Sequence, residues 1–195
     1  MDNRKKVYEP VHIALIIIQS ILIIVGWSSV SFQLVKDADK MSVIDGSMLV
    51  LSCFAYLFIM VYAVWGYKKS IVPYRLAISA YYASLISQVL NEVGKENADI
   101  TRIVLGLACI GFLVAFDNTF KKRKTPALIV GSFLMLSELA ISFVRIFIGK
   151  EASIRPFSGF ILACAILVTY VSRCHWSANG KEDIFEDDDD DVISG

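Results

Sequence analysis

Histidine is nearly missing from this sequence: His12 and His175 are the only two, and they stand far apart. That excludes a His-rich metal motif and a His-activated nucleophile, and there is no H-E-x-x-H signature. A glycine-rich phosphate loop is missing as well, so phosphoryl transfer has no support. The four cysteines form no framework, because Cys53, Cys109 and Cys164 fall inside apolar runs and Cys174 just after one. In such places a thiol is a small apolar packing residue. Cys174 and His175 together are too few ligands for zinc, which takes four, or three plus water. No cofactor and no metal is expected, and an enzyme finds little support. The remaining enzymatic reading would be acid–base chemistry on one buried glutamate.

Charge is also scarce: Asp, Glu, Lys and Arg make up 19% of the 195 residues, against 56% hydrophobic residues and a mean hydropathy of +0.60. These values lie outside the soluble range, so the solvent is lipid. The apolar runs have the length needed to cross a hydrocarbon core of roughly 30 Å. They place spans at 11–31, 47–67, 72–91, 102–118, 126–147 and 156–173. The third, weakened by serines, Gln88 and Asn91, and the sixth, interrupted by Arg155 and Pro156, are the least apolar. In lipid every backbone polar group needs an internal partner, and the alternation of a barrel strand is missing, so the spans are helices. The fold class expected is all-α, a polytopic membrane helix bundle of about six transmembrane helices. The first span follows Arg4, Lys5 and Lys6 as a signal peptide would, but it is long and offers no clean cleavage site, so it is expected to stay as an anchor.

With six spans, twelve Lys and Arg residues fall in segments on one side and six on the other. The positive-inside bias puts both termini in the cytoplasm, and the expected location is a plasma membrane. Short basic clusters beside spans suit anionic lipid, so nucleic acid is not an expected partner. Residues 1–176 form the expected transmembrane domain. Residues 177–195, with the run Asp187 to Asp191, are expected to be a disordered acidic tail.

The odd spans begin alike: Lys5-Lys6-x-x-x-Pro10, Lys68-Lys69-x-x-x-Pro73 and Lys121-Lys122-x-x-x-Pro126 share one spacing, and Gly94-Lys95-Glu96 returns as Gly149-Lys150-Glu151. This pattern suggests three tandem helical hairpins. Topology and the preference for proline in a first helical turn would produce part of it without duplication.

A charge at the centre of a membrane helix costs on the order of 3 kcal/mol, so each one needs a reason. Glu138 falls near the middle of the fifth span, and Arg145 follows about two turns later on the same face as Ser142, Gly131 and Met135. The third span carries a matching stripe of Tyr74, Ala77, Tyr81, Ser84, Gln88 and Asn91, with Glu92 beside it. One reading makes spans three and five the walls of an outward-open polar cavity for a small solute or cation. Glu138 would then be the ion or proton site, Arg145 its modulator, Tyr81, Ser84, Gln88 and Asn91 the lining, and Glu92 an acid near the mouth. The other has these groups hydrogen-bonding between helices, in a non-catalytic sensor or scaffold that works through a partner membrane protein. A pair of Arg145 with Glu92 or with Glu138 fits this placement, and the imbalance of two acids against one arginine would be settled by a protonated Glu138, a bound cation, or Arg102 or Arg155.

In size, span number and inward termini the chain resembles in outline the substrate-capture subunits of bacterial vitamin transporters, although their Ala-x-x-x-Ala motif is missing from residues 11–31. It is also similar in outline to the membrane sensor portions of bacterial signalling proteins. Neither resemblance assigns a role to any residue.

Overall fold

The computed structural model describes residues 10–37, 39, 41–65, 71–120, 124–149 and 157–178. The basic starts of the repeat at Lys5, Lys6, Lys68, Lys69, Lys121 and Lys122, the Lys150-Glu151 turn, Arg155, Pro156 and the acidic run of the tail lie outside the described residues. The described chain forms six helices: α1 (Pro10–Lys36), α2 (Val43–Trp65), α3 (Val72–Val93), α4 (Ile100–Thr119), α5 (Lys124–Gly149) and α6 (Ser158–Ala178). Among the described residues there is no strand. Four helices, α1, α2, α4 and α5, are long and apolar enough to cross a membrane, and the fold is a multi-pass membrane helix bundle.

Local sequence sets the helix ends. Proline opens α1 and stands in the first turn of α3, where its missing N–H is no loss. Ser42 and Asp45 cap α2 reciprocally: the Asp45 amide donates to Ser42 Oγ at 3.1 Å and the Ser42 hydroxyl donates to Asp45 Oδ2 at 2.9 Å. Asp99 caps α4 by accepting from the Thr101 amide at 2.9 Å.

Each helix then buries one seam. In α1 it is Gln19, Ile23, Gly26, Val30 and Gln33; in α4 it is Gly106, Cys109, Leu113 and Phe116; in α5 it is Ala127, Gly131, Leu134, Glu138 and Ile141. Steps of three and four residues keep such a seam on one side of a helix. The opposite faces expose Ile, Leu, Val and Phe, which in this setting is contact with lipid.

Consecutive helices pack in sequence from α1 to α6, and α6 returns to α1, which closes a ring. The two helices of each expected hairpin touch, but α2 packs more extensively on α3, and α4 on α5, so the packing does not single out the hairpins as units. Of the six, α6 is the innermost: it touches α1, α2 and α5 and has no exposed residue from Ser158 to Cys174. Tyr74 of α3 reaches it as well, donating to the Ile166 carbonyl at 3.0 Å. The low apolarity of α6 follows from this arrangement. A helix wrapped by protein does not need a lipid-compatible surface all round, whereas the outer helices do.

Lipid tails are as apolar as leucine, so helices here are drawn together by close contact and hydrogen bonds rather than by the hydrophobic effect. Glycine supplies the close contacts. The Tyr56 ring occupies the space a Cβ at Gly26 would need, and at Gly131 a Cβ would stand 2.6 Å from Leu167 Cδ1 and 3.3 Å from the Phe116 ring. Toward the end of the bundle where α4 finishes, Tyr62, Tyr74, Phe116, Phe120 and Tyr170 form a buried aromatic cluster, with ring centroids 5.2 to 6.4 Å apart. Buried Arg173 of α6 stacks over the Tyr62 ring at 5.9 Å.

Candidate functional site

Glu138 is the fifteenth of the 26 residues of α5 and is 2% exposed. Its Oε1 accepts from the Tyr81 hydroxyl at 2.6 Å, and Tyr81 is the tenth of 22 residues in α3. The Ser142 hydroxyl donates to the Glu138 carbonyl at 2.8 Å, one turn along α5. Arg145 lies within electrostatic range of the carboxyl group. The third neighbour is the first turn of α6. The Glu138 carboxyl group fills the place a Cβ at Gly159 would take, with Cδ 2.9 Å and Oε1 3.1 Å from that position.

This contact fixes the height at which α6 begins. Glu138 stands eleven residues before the end of α5 at Gly149, so the first turn of α6 sits ~16 Å below that end at 1.5 Å per residue. The Tyr56 hydroxyl, from the middle of α2, donates to the Ser158 carbonyl at 3.2 Å and marks the same height. The described part of the sixth helix, from Ser158, therefore begins level with the middle of α2 and α5. It continues past the level of Phe120 at the end of α4, whose carbonyl accepts from Tyr170 at 3.3 Å. The first turn of α6, at Gly159, thus stands against a buried carboxyl group.

Two of the seven residues expected to form a site, Tyr81 and Glu138, thus meet directly, with Arg145 nearby. The others are distributed along α3. Ser84 exchanges a hydroxyl hydrogen bond with Ser52 of α2 at 2.9 Å and also donates to the Met48 carbonyl at 3.2 Å. Asn91 donates to Asp45 Oδ1 of α2 at 2.6 Å. Glu92 pairs with Lys95 at 2.7 Å and stands 3.8 Å from Arg102 of α4, which is 3.3 Å from Asp99. Of the balancing cations expected, Arg102 is the one seen beside Glu92. Gln88 is half-buried on the same helix.

No protein-family model, curated protein or solved structure matches this chain. Its chemistry is therefore carried by its own geometry. That geometry brings in Gly159, Ser158 and Tyr56, which sequence reasoning did not single out. The available signal was a glycine at the start of the most interrupted span, but nothing in the sequence sets the height of α6 against α5.

Proposed function

We propose that this multi-pass membrane protein binds a proton or a small cation at Glu138, in a closed mid-membrane site formed by α3, α5 and the first turn of α6, and that occupancy is coupled to movement of α6. The observation that carries the reading is the Glu138 carboxyl group, 2% exposed, bonded to Tyr81 at 2.6 Å and pressed against Gly159. Ionisable groups at this depth are costly and mark ion or proton pathways. Helix termini within the membrane are tolerated where they are buried in protein or line a cavity, and membrane carriers place such termini at their binding sites. Adding or removing one charge here changes the balance between Glu138 and Arg145 against the first turn of α6, so it biases the position of that innermost helix.

The test is infrared difference spectroscopy on protein reconstituted in liposomes, between acid and alkaline pH, with and without sodium. The expected result is a carboxyl band that appears reversibly, shifts with sodium if the site takes that cation, and is lost in Glu138→Gln. A difference spectrum identical in wild type and Glu138→Gln would mean that the group never exchanges with water, and the reading would be wrong.

A second reading rests on α3, whose Ser84 and Asn91 both bond to α2 rather than lining open space. Such a rigid stripe suits a sensor or scaffold subunit acting through a partner membrane protein. Copurification of a distinct protein in fixed ratio from the native membrane in mild detergent favours it; a particle of this chain alone counts against it.

A further inference from the structure

A groove of about 200 Å³ opens on the outside of the ring between α3 and α4, away from Glu138. Its walls are Ile78, Ser79, Tyr82, Leu113, Val114 and Asp117. Ile78 and Leu113 are buried and form its floor, while Ser79, Val114 and Asp117 are exposed. On a surface of lipid-facing Ile, Val and Phe, three polar groups on one groove are out of place.

They also differ from three other helix serines. Ser20, Ser87 and Ser132 each donate to the carbonyl one turn back, at 2.8, 3.0 and 2.8 Å, which is how a hydroxyl is satisfied in lipid. Among the described residues, the Ser79 hydroxyl, the Tyr82 hydroxyl and the Asp117 carboxylate make no such bond. Asp117 stands two residues before the end of α4 at Thr119, ~3 Å along the axis, which is headgroup depth. α3 starts at the end of the bundle where α4 finishes, and Ser79 and Tyr82 stand seven and ten residues on, ~10 and ~15 Å deeper along the axis, with Tyr82 at the middle of the 22-residue helix. Helical side chains lean toward the N-terminus, so Tyr82 leans toward that end while Asp117, on an antiparallel helix, leans inward to meet it.

The geometry points to a binding site for an aminophospholipid: a primary ammonium held by Asp117 and the Ser79 and Tyr82 hydroxyl oxygens, with an acyl chain along Ile78, Leu113 and Val114. A primary ammonium has three N–H donors and no acceptor, which fits three oxygens, one of them charged. An anionic headgroup would meet the carboxylate and be repelled. A quaternary ammonium has no N–H to donate.

The experiment is native mass spectrometry of the full chain released from nanodiscs of equal parts phosphatidylethanolamine and phosphatidylglycerol, and from a second set with phosphatidylcholine replacing the phosphatidylethanolamine. Retained phosphatidylethanolamine, little phosphatidylglycerol or phosphatidylcholine, and about tenfold less retention in Asp117→Asn are expected, the loss matching one charge-assisted hydrogen bond. Val114→Trp, which fills the groove and leaves Asp117 in place, is expected to expel the lipid too. Circular dichroism of both variants checks that each is folded. Equal retention of the three lipids, or undiminished phosphatidylethanolamine in folded Asp117→Asn, overturns the proposal. Displacement by millimolar free ethanolamine also overturns it, since the source would then be a soluble amine.

Discussion

Replacing Gly159 by alanine tests the contact on which the site depends. The new methyl carbon would stand 2.9 Å from Glu138 Cδ and 3.1 Å from Oε1, well inside ordinary contact, so the carboxyl group or the start of α6 has to shift. Overpacking of this kind costs ~1–3 kcal/mol. Alanine is otherwise the better helix former by up to about 1 kcal/mol, less in a first turn, so without the contact the substitution would be neutral or stabilising. The sign therefore decides. Unfolding in mixed micelles, titrated with dodecyl sulfate and followed by circular dichroism, should show Gly159→Ala destabilised by about 1–2 kcal/mol. In a Glu138→Ala background the obstacle is gone and the same change should be neutral or better, a coupling of about 1–3 kcal/mol. Gly111→Ala is the control, because nothing lies within 4 Å of a Cβ there, and it should be neutral or stabilising. If the Gly159 and Glu138 effects add within about 0.5 kcal/mol, the carboxyl group does not rest on α6 and the site described here does not exist.

Tyr81→Phe removes the hydroxyl that Glu138 accepts from and should cost about 1 kcal/mol in the same unfolding assay; unchanged stability would show that the bond contributes nothing. Asp45→Ala and Asn91→Ala, at opposite ends of a 2.6 Å hydrogen bond between α2 and α3, should couple by about 0.6 kcal/mol in a double-mutant cycle. Strict additivity would place the two side chains apart in the membrane. Single cysteines introduced in place of Lys5 and Asp188, in a cysteine-free background, should both be labelled by an impermeant reagent only from the cytoplasmic side; labelling from opposite sides would mean an odd number of crossings.

The outer layer of the bundle was legible because lipid contact writes itself into composition. Residues on the outside of α1, α2, α4 and α5 must be apolar, so those helices appear as long apolar runs in sequence. Helix ends were set by signals of one or two residues, such as Pro73 in the first turn of α3 or Asp99 at the start of α4. The helices still run past the apolar stretches, to Lys36 in α1 and Ala178 in α6, because backbone hydrogen bonding continues into the interface where charged side chains are at no disadvantage. The stripe on α3 could be read as a face from its spacing of three and four residues. What spacing could not supply was which neighbour each residue meets: Tyr81 turns to α5, Ser84 and Asn91 to α2, and Glu92 toward α4. One stripe serves three partners because α3 packs between α2 and α4 on the ring and reaches across it toward α5.

The sixth helix shows why a site inside such a ring escapes sequence reasoning. Periodicity reports the angle of a residue about its helix axis, whereas the meeting of Glu138 with Gly159 depends on how far one helix is displaced along its axis relative to another. A shift of one turn, ~5.4 Å, would leave every face pattern nearly intact and yet remove the contact. That displacement is held here by a set of long-range contacts: Gln19 donating to Thr169 at 2.9 Å, Tyr74 to the Ile166 carbonyl, Tyr170 to the Phe120 carbonyl, and Leu167 packed over Gly131. These contacts tie α6 to four different elements, so sliding it would break several at once. Under the proposed function, a change at its first turn would be carried along α6 to the aromatic cluster and Arg173 at its other end.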